Sequence, residues 1–592
     1  MAAQDWICME QAADVLDAPG DAAGQPSSRP GARDGWRQAL PALLAAVVAT
    51  AWVFRSVLLS GLLPGNIGDA RWTIGLHEHW YRVWSGQEAI RDLHYYFPLA
   101  NTLGSSDAFL VQGQIYSLAR LLGFDQVNSW VIAGMAFFLI GALGIAVLAG
   151  QVLVSRWAQV ALVVLSVGSY PVLVGLGHVQ LFGLLSVSWV FVGLHDLVSR
   201  RHVRRGIALL VLVPPLLGLS SWYALVLGAV GIGFLGLALL LVSSRRGIGR
   251  MIGQVSRDLW HTLRSIPGIV LAVLFVLLWA AVLWVYLPSR GLLPKPGWID
   301  VVTYGPRWSD IWNSSDGGGG IWSGLFARLP ELTQSNYEQQ RGFTPIVFVA
   351  FAVVTLVVLR SIVVSRSTPD RVAAGGSSPS GIGRAGVLAV SLTVIAVIGF
   401  FLMDDRGLSF YRIAWTYVPG MEAVRAPFRV MTILYGLTFF VILRAGELAW
   451  ERWQWLRSVP WRRAAFLTCA GALTILMFVE MQRIVDTHWS RGDLLSPALL
   501  AQIGPAQQAC DAVILLNEEP GEPPWKNPIE AVVLATLSGL PTPQGYSRAD
   551  PVDYPGAVGT SDGTALAQWM RGKGFDGRIC AVSAQGVAVI PG

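Results

Sequence analysis

The stretch Ala39 to Leu63, ALPALLAAVVATAWVFRSVLLSGLL, decides the fold class. It carries one charge, Arg55, and is long enough to cross ~30 Å of hydrocarbon, for which about 20 apolar residues suffice. Directly after it come Gly68-Asp69-Ala70-Arg71 and His77-Glu78-His79. Ionisable groups beside lipid are costly, so a cluster of them at a membrane exit points to chemistry.

Working outward, further apolar runs occupy residues 128–151, 157–175, 181–199, 206–223, 224–242, 267–288, 343–363, 386–403, 428–447 and 464–480. With the first, they give about eleven spans. Pro214, Pro215 and Ser220-Ser221-Trp222-Tyr223 interrupt the fifth and sixth, which read as a kinked pair. The composition agrees. Hydrophobic residues make up 53% and charged ones 14%, with mean hydropathy +0.52, against roughly a quarter charged in soluble chains. The 25 Trp suit interfacial belts. The net charge of +6 implies no nucleic acid, because the basic residues cluster between apolar runs. Lysine occurs only at Lys295, Lys526 and Lys573, an arginine skew expected of a GC-rich bacterial genome.

Arginine bias sets an expected orientation. Arg156, Arg200, Arg201, Arg204, Arg205, Arg245, Arg246, Arg250, Arg257, Arg264, Arg366, Arg371, Arg384, Arg452, Arg457, Arg462 and Arg463 all fall in alternate connections. Placing these inside puts the N-terminus in the cytoplasm and the C-terminus outside a bacterial inner membrane. Residues 1–37, rich in Ala, Gly, Asp and Pro, read as a disordered cytoplasmic tail and lack the order of a signal peptide. Residues 38–483 form the transmembrane domain, with outside loops 64–127, 289–342 and 404–427. The second loop holds a flexible Gly317 to Gly320, and Arg366 to Arg384 is an inside linker.

Residues 484–592 are expected to form a small outside α/β domain. Its helix is Ile529 to Leu537, and its strands are Val513 to Leu516 and Val587 to Ile590. Cys510 and Cys580 fall there and can pair in an oxidising compartment. No cysteine spacing matches a metal knuckle.

Residues Asp69 to Ser85 are expected to form a helix on the membrane surface. Trp72, Leu76, Trp80, Val83 and Trp84 make its apolar stripe, Glu78 and Arg82 an i, i+4 pair, and Asp69 a base or an N-cap. His77 and His79 stand two apart, unlike a zinc helix, and read as interfacial or substrate contacts. Tyr95-Tyr96-Phe97-Pro98 offers rings for the interface or for sugar faces, and Asp107 caps a following helix or lines a site. His178 and Gln180 mark the outside end of the third span. Arg425-Ala426-Pro427-Phe428-Arg429 opens the tenth against the charge bias, so its two arginines need partners; a lipid phosphate fits a guanidinium.

Taken together, Gly68-Asp69-Ala70-Arg71, Glu78-His79-Trp80, Tyr96-Phe97-Pro98 and Ser106-Asp107 resemble the first-loop signature of bacterial multi-pass glycosyltransferases of the GT-C superfamily. Arg425 to Arg429 resembles their late RxPxR-like element. Gln544-Gly545-Tyr546-Ser547 loosely resembles an NGYSG-type turn, with Gln for Asn and Arg548 for the second Gly. The resemblance implies a polytopic helix bundle and transfer of a sugar from a polyprenyl-phosphate carrier to an outside glycan, lipid or protein. It also implies inversion at the sugar, with Asp69 as base. Arg71, His77, Glu78, His79, Tyr96, Asp107, His178, Gln180, Arg425 and Arg429 are then the candidate substrate contacts. No cofactor is implied, and a divalent metal is possible but not indicated. The alternatives are a transporter or flippase of a lipid-linked substrate, or an O-antigen-type polymerase or ligase.

Overall fold

The computed structural model describes residues 32–592 except 66, 201, 244, 293, 295–296, 315–321, 323–327, 329–337, 367–381, 454, 456–457, 483–487, 517–524, 547–549, 557–562 and 592. Residues 1–31 of the tail, the Gly317 to Gly320 run, most of the inside linker, and Ser547 and Arg548 lie outside the described residues; residues 32–37, expected to be disordered, are the first turns of a helix, which the apolar run behind them extends.

Ten described helices are long and apolar enough to cross a membrane: Gln126–Val152, Arg156–Val174, Val179–Ser199, Val203–Ser220, Trp222–Val242, Ile266–Ser289, Pro345–Val364, Arg384–Phe401, Pro427–Arg452 and Pro460–Met481. The opening run is a helix from Ala32 to Val53 that continues, slightly broken, through Arg55–Ser60. Backbone bonds from Phe54 to Thr50 and from Leu58 to Phe54 bridge the break, and Gly61 ends the run with a left-handed φ of 68°. The chain is thus a mainly helical, polytopic membrane bundle. The kinked pair is two helices that meet at Ser221, whose hydroxyl accepts from Ala224 N at the new N-terminus.

The C-terminal region folds around a three-stranded sheet. Ala512–Leu515 pairs in parallel with Ile579–Ser583, which pairs antiparallel with Gly586–Val589. The middle strand was not among the expected ones. The helix Lys526–Ser538 covers the expected one, and Cys510 and Cys580 are disulfide-bonded. Leu63–Pro64 pairs with His488–Trp489, and Tyr95 bridges Thr542. The first loop and the C-terminal domain are therefore stitched together.

That stitching corrects the surface-helix expectation. The loop helix runs from Ile67 to Trp84, and nearly all of it is buried. It packs against Leu110–Leu121 and Lys526–Ser538. Gly75 allows the second contact: a Cβ there would stand 2.9 Å from both Val532 and Thr536 side chains. Burying a helix on several faces removes far more apolar surface from water than laying it on lipid headgroups. Only Trp84 of the expected stripe stays exposed, at 50%.

The contacts also fix which connections share one end of the bundle. Going from the first loop, His178 follows the second span, Ser221 the fourth, Glu338 the sixth, Arg429 the eighth and the C-terminal domain the tenth. Each count is even, and the contacts below bring all of them to the end occupied by the loop helix. The alternate connections carry Arg200–Asp258, Arg205–Asp196 and Arg444–Glu447 pairs at the other end.

Candidate functional site

Four separate connections converge on Asp69. Its Oδ2 lies 2.5 Å from His178 Nδ1, an ion-pair contact out of line for a good hydrogen bond. His178 Nε2 is 3.8 Å from Glu338 Oε1. Glu338 in turn receives Arg341 Nε at 2.7 Å and Arg429 at 2.5 Å. Arg341 also donates to the Pro171 carbonyl, which ties the second loop to the span that leads into His178. The Tyr546 hydroxyl, from the C-terminal domain, meets the Asp69 carboxylate.

Local backbone explains the meeting. Gly65, with φ 86°, sits so close to Gly177 that a Cβ would fall 2.1 Å from its nitrogen. Two chain segments touch backbone to backbone there, and Asp69 and His178 follow one turn later and one residue later. The Arg425–Arg429 segment is held by Tyr411, whose hydroxyl donates to the Met421 and Val424 carbonyls, and by Trp222 Nε1 on the Gly420 carbonyl.

Access separates these groups. The side chains of His178, Arg429 and Glu338 are 7%, 8% and 1% exposed, whereas that of Asp69 keeps 22%. Arg425, Tyr546, Tyr223 and Tyr304 are also only half-buried. Arg425 stacks on Tyr304 at 5.5 Å, and Arg429 on Tyr223 at 4.8 Å. Among the described residues Arg425 has no carboxylate partner.

The electrostatics follow from these distances. Burial pushes the Asp69 carboxyl up, but His178 and Arg429 outweigh it and hold the group below the usual carboxylate value. Glu338 is likewise held down against its burial by Arg341 and Arg429. Burial pushes Tyr546 up to about 12, so it stays a hydrogen-bond donor to Asp69. Asp107 is pushed up to about 6 by burial, although its bond from Trp222 N and the charge of Arg429 oppose that.

The expected site residues divide. Asp69, His178 and Arg429 meet, and Arg425 shares the Tyr546 environment. Asp69 is not an N-cap: it is the third residue of its helix. Arg429 pairs with Glu338. Asp107 caps the Trp222–Val242 span, through Trp222 N at 2.5 Å, and not its own following helix. The other candidates lie in structural contacts. Arg71 bonds the Leu494 carbonyl and Glu530 of the C-terminal domain. Glu78 pairs with Tyr116 and Arg120 instead of Arg82, which bonds Glu88 and the last carbonyls of Lys526–Ser538. His79 bonds Glu88, and His77 reaches only the Thr73 carbonyl. Tyr96 is 1% exposed and lies flat against Gly545. Gln180 is buried, with Oε1 unpaired.

Glu338 was missed because it stands alone in a polar loop with no motif around it. The only signal was indirect: two arginines at a span entrance against the bias demand a counter-charge. Among the described residues no three His, Cys, Asp or Glu side chains group as a metal-ligand set.

No family model matches the chain, and no curated protein matches it. Among solved structures it is similar to the Archaeoglobus fulgidus oligosaccharyltransferase in complex with zinc and sulfate. The identity is 11% over 87% of this chain and 59% of that one, with a TM-score of 0.42. The apo form of the same protein gives 11% identity over 88% and 62%, with a TM-score of 0.37. The chain thus spans about three fifths of that protein's length.

Proposed function

We propose that this protein is an integral-membrane glycosyltransferase of the bacterial inner membrane. It moves a sugar from a polyprenyl-phosphate carrier to a glycan, lipid or protein acceptor on the extracytoplasmic side. The observation that carries the reading is the pairing of an accessible carboxylate, Asp69, with a cation that has no carboxylate partner among the described residues, Arg425. Tyr546 stands between them, and all three lie at the end of the bundle opposite the arginine-rich connections.

The chemistry needs these two groups. The bond from the anomeric carbon to the carrier phosphate breaks, and the phosphate leaves with the electron pair. A guanidinium offers paired donors to that phosphate and stabilises its growing charge. As the anomeric carbon gains positive character, the incoming hydroxyl acidifies. A carboxylate held below its ordinary value is then still base enough to take the proton. A single displacement from the face opposite the phosphate inverts the centre; the two-carboxylate hydrolases follow the same geometric rule. A transporter is less well supported, because the charge network lies at the loop end of the bundle rather than at mid-membrane.

The test is transfer from polyprenyl-phosphate sugars by the purified protein. Asp69→Asn is expected to keep expression and donor binding and to lower turnover by about 10²-fold or more. Near-normal turnover by this variant removes Asp69 as the base.

A further inference from the structure

The connection between the spans Trp222–Val242 and Ile266–Ser289 is itself a helix, Arg245–Leu263, of 19 residues and so about 28 Å long. No group of the candidate site lies on it. Only residues 243–244 and 264–265 separate it from the two spans, so each of its ends is tied within about 11 Å of a span end. It packs against Ser188–Ser199, Val203–Ser220 and Ile266–Ser289. Arg200, just past the end of Val179–Ser199, donates to Asp258 at 3.3 Å. The helix is therefore held where the spans leave the membrane, at the arginine-rich end of the bundle.

Its residues are sorted by face. At about 100° per residue, Ile248, Ile252, Val255, Leu259 and Leu263 fall within about 80° of one another, and Arg246, Arg250, Arg257 and His261 within about 60° on the opposite side. The protein leaves the apolar stripe open: Ile252 is 55% exposed and Leu259 40%. Trp260 stands at the edge of that stripe, with Arg264 4.3 Å over its ring. The charge is one-sided. Residues 243–265 contain five arginines and a single carboxylate, Asp258, with which Arg200 already pairs. An apolar stripe in water is unfavourable, and like charges four apart on a helix, as at Arg246 and Arg250, repel. One surface removes both costs, with acyl chains under the apolar stripe and negative headgroups beside the arginines.

We infer that Arg245–Leu263 lies in the headgroup layer of the leaflet at the arginine-rich end and binds anionic phospholipid there. Its apolar stripe rests on the acyl chains, and its arginines bind the headgroup phosphates. Every cationic side chain of fixed charge in this segment is arginine, whose guanidinium offers paired donors to a phosphate. This inference stands apart from the glycosyltransferase reading and holds whatever reaction the protein performs.

Two experiments on the full chain in lipid nanodiscs test it. In the first, the nanodiscs mix phosphatidylcholine with phosphatidylglycerol, and native mass spectrometry reads which lipid stays on the protein. Phosphatidylglycerol is expected to be retained preferentially. The triple variant Arg246→Gln, Arg250→Gln, Arg257→Gln is expected to lower that preference by about fivefold or more, since one arginine at an anionic surface already contributes about that factor. A preference unchanged in the triple variant overturns the inference. So does a preference that inorganic phosphate abolishes and sodium chloride of equal ionic strength does not, because a free anion is then the ligand. The second experiment leaves every arginine in place. A nitroxide is attached at Ile252→Cys or at His261→Cys, each combined with Cys8→Ser and Cys469→Ser. Its relaxation by oxygen is compared with that by a water-soluble nickel chelate. The label at Ile252→Cys is expected to favour oxygen, and the label at His261→Cys the chelate. Equal access of the chelate to both labels overturns the inference. A label at Ile252→Cys shielded from both reagents also overturns it, because protein and not lipid then covers the stripe.

Discussion

At the scale of single residues, the two arginines of one short motif have opposite duties. Arg429 neutralises Glu338 inside the protein, and Arg425, half-buried, stacks on Tyr304. Arg425→Ala is therefore expected to leave thermal stability almost unchanged. It should raise the KM for donor by about tenfold or more, since a charge-assisted phosphate contact is worth roughly 1.5–3 kcal/mol. Arg429→Ala is expected to lower stability by roughly 3 kcal/mol, because it strands a buried carboxylate with half its compensation. A melting curve and a donor titration on both variants distinguish the duties; equal behaviour would contradict them. His77 makes a separate prediction. Its Nδ1 donates to the Thr73 carbonyl, while Nε2 sits unpaired between Phe109 and Tyr116, and burial pushes the imidazole down to about 4. The folded protein thus resists the proton that the unfolded chain accepts below about 6.5. Stability should be full above that pH and fall as the pH drops from 6.5 toward 4, by roughly 3 kcal/mol from this residue. His77→Gln should flatten that part of the stability curve in detergent, and an unchanged slope would show that another group causes it.

At the scale of elements, the site depends on one backbone contact. Gly65 needs both its left-handed φ and its missing Cβ, because the atoms it would strike are Gly177 backbone. Gly65→Ala is expected to cost about 2–4 kcal/mol and to uncouple Asp69 from His178. Gly61 is the control: its φ is also left-handed, but open space surrounds it. Gly61→Ala should cost about 1 kcal/mol and spare activity. Chemical denaturation of both variants, with transfer measured alongside, checks the contrast. The loop helix itself was legible as a helix from its three- and four-residue apolar spacing. Its burial was not, because the partner that covers it, Lys526–Ser538, follows more than four hundred residues later.

At the scale of the whole molecule, every group of the site comes from connections that an even number of spans separates. Reporter fusions after Arg205 and after Gly592 are therefore expected to report opposite sides, with the first in the cytoplasm. Agreement between the two would break both the span count and the orientation. Convergence of this kind puts Asp69 on the first loop, His178 between two later spans, Arg341 on the second loop, and Arg425 and Arg429 at the entrance of Pro427–Arg452. No one segment can hold the site without the bundle.

The sequence by itself determined the membrane class, the positions of the ten membrane-length helices, and the break at Ser221. These are properties of local hydrophobicity and charge, which any twenty-residue window contains. It also singled out Asp69, His178 and the Arg425–Arg429 pair as ionisable groups at costly places. Only the tertiary structure decided which of these groups meet. Glu338, Tyr546 and the Gly65–Gly177 contact carry no local signal, and Arg71, Glu78, His79 and Tyr96 share the same motif-like neighbourhood yet turn to structural contacts. A motif fixes where a side chain starts, but the partner that spends or spares its charge arrives from a distant part of the chain. That pairing is settled by packing, since a buried charge is stable only beside its counter-charge.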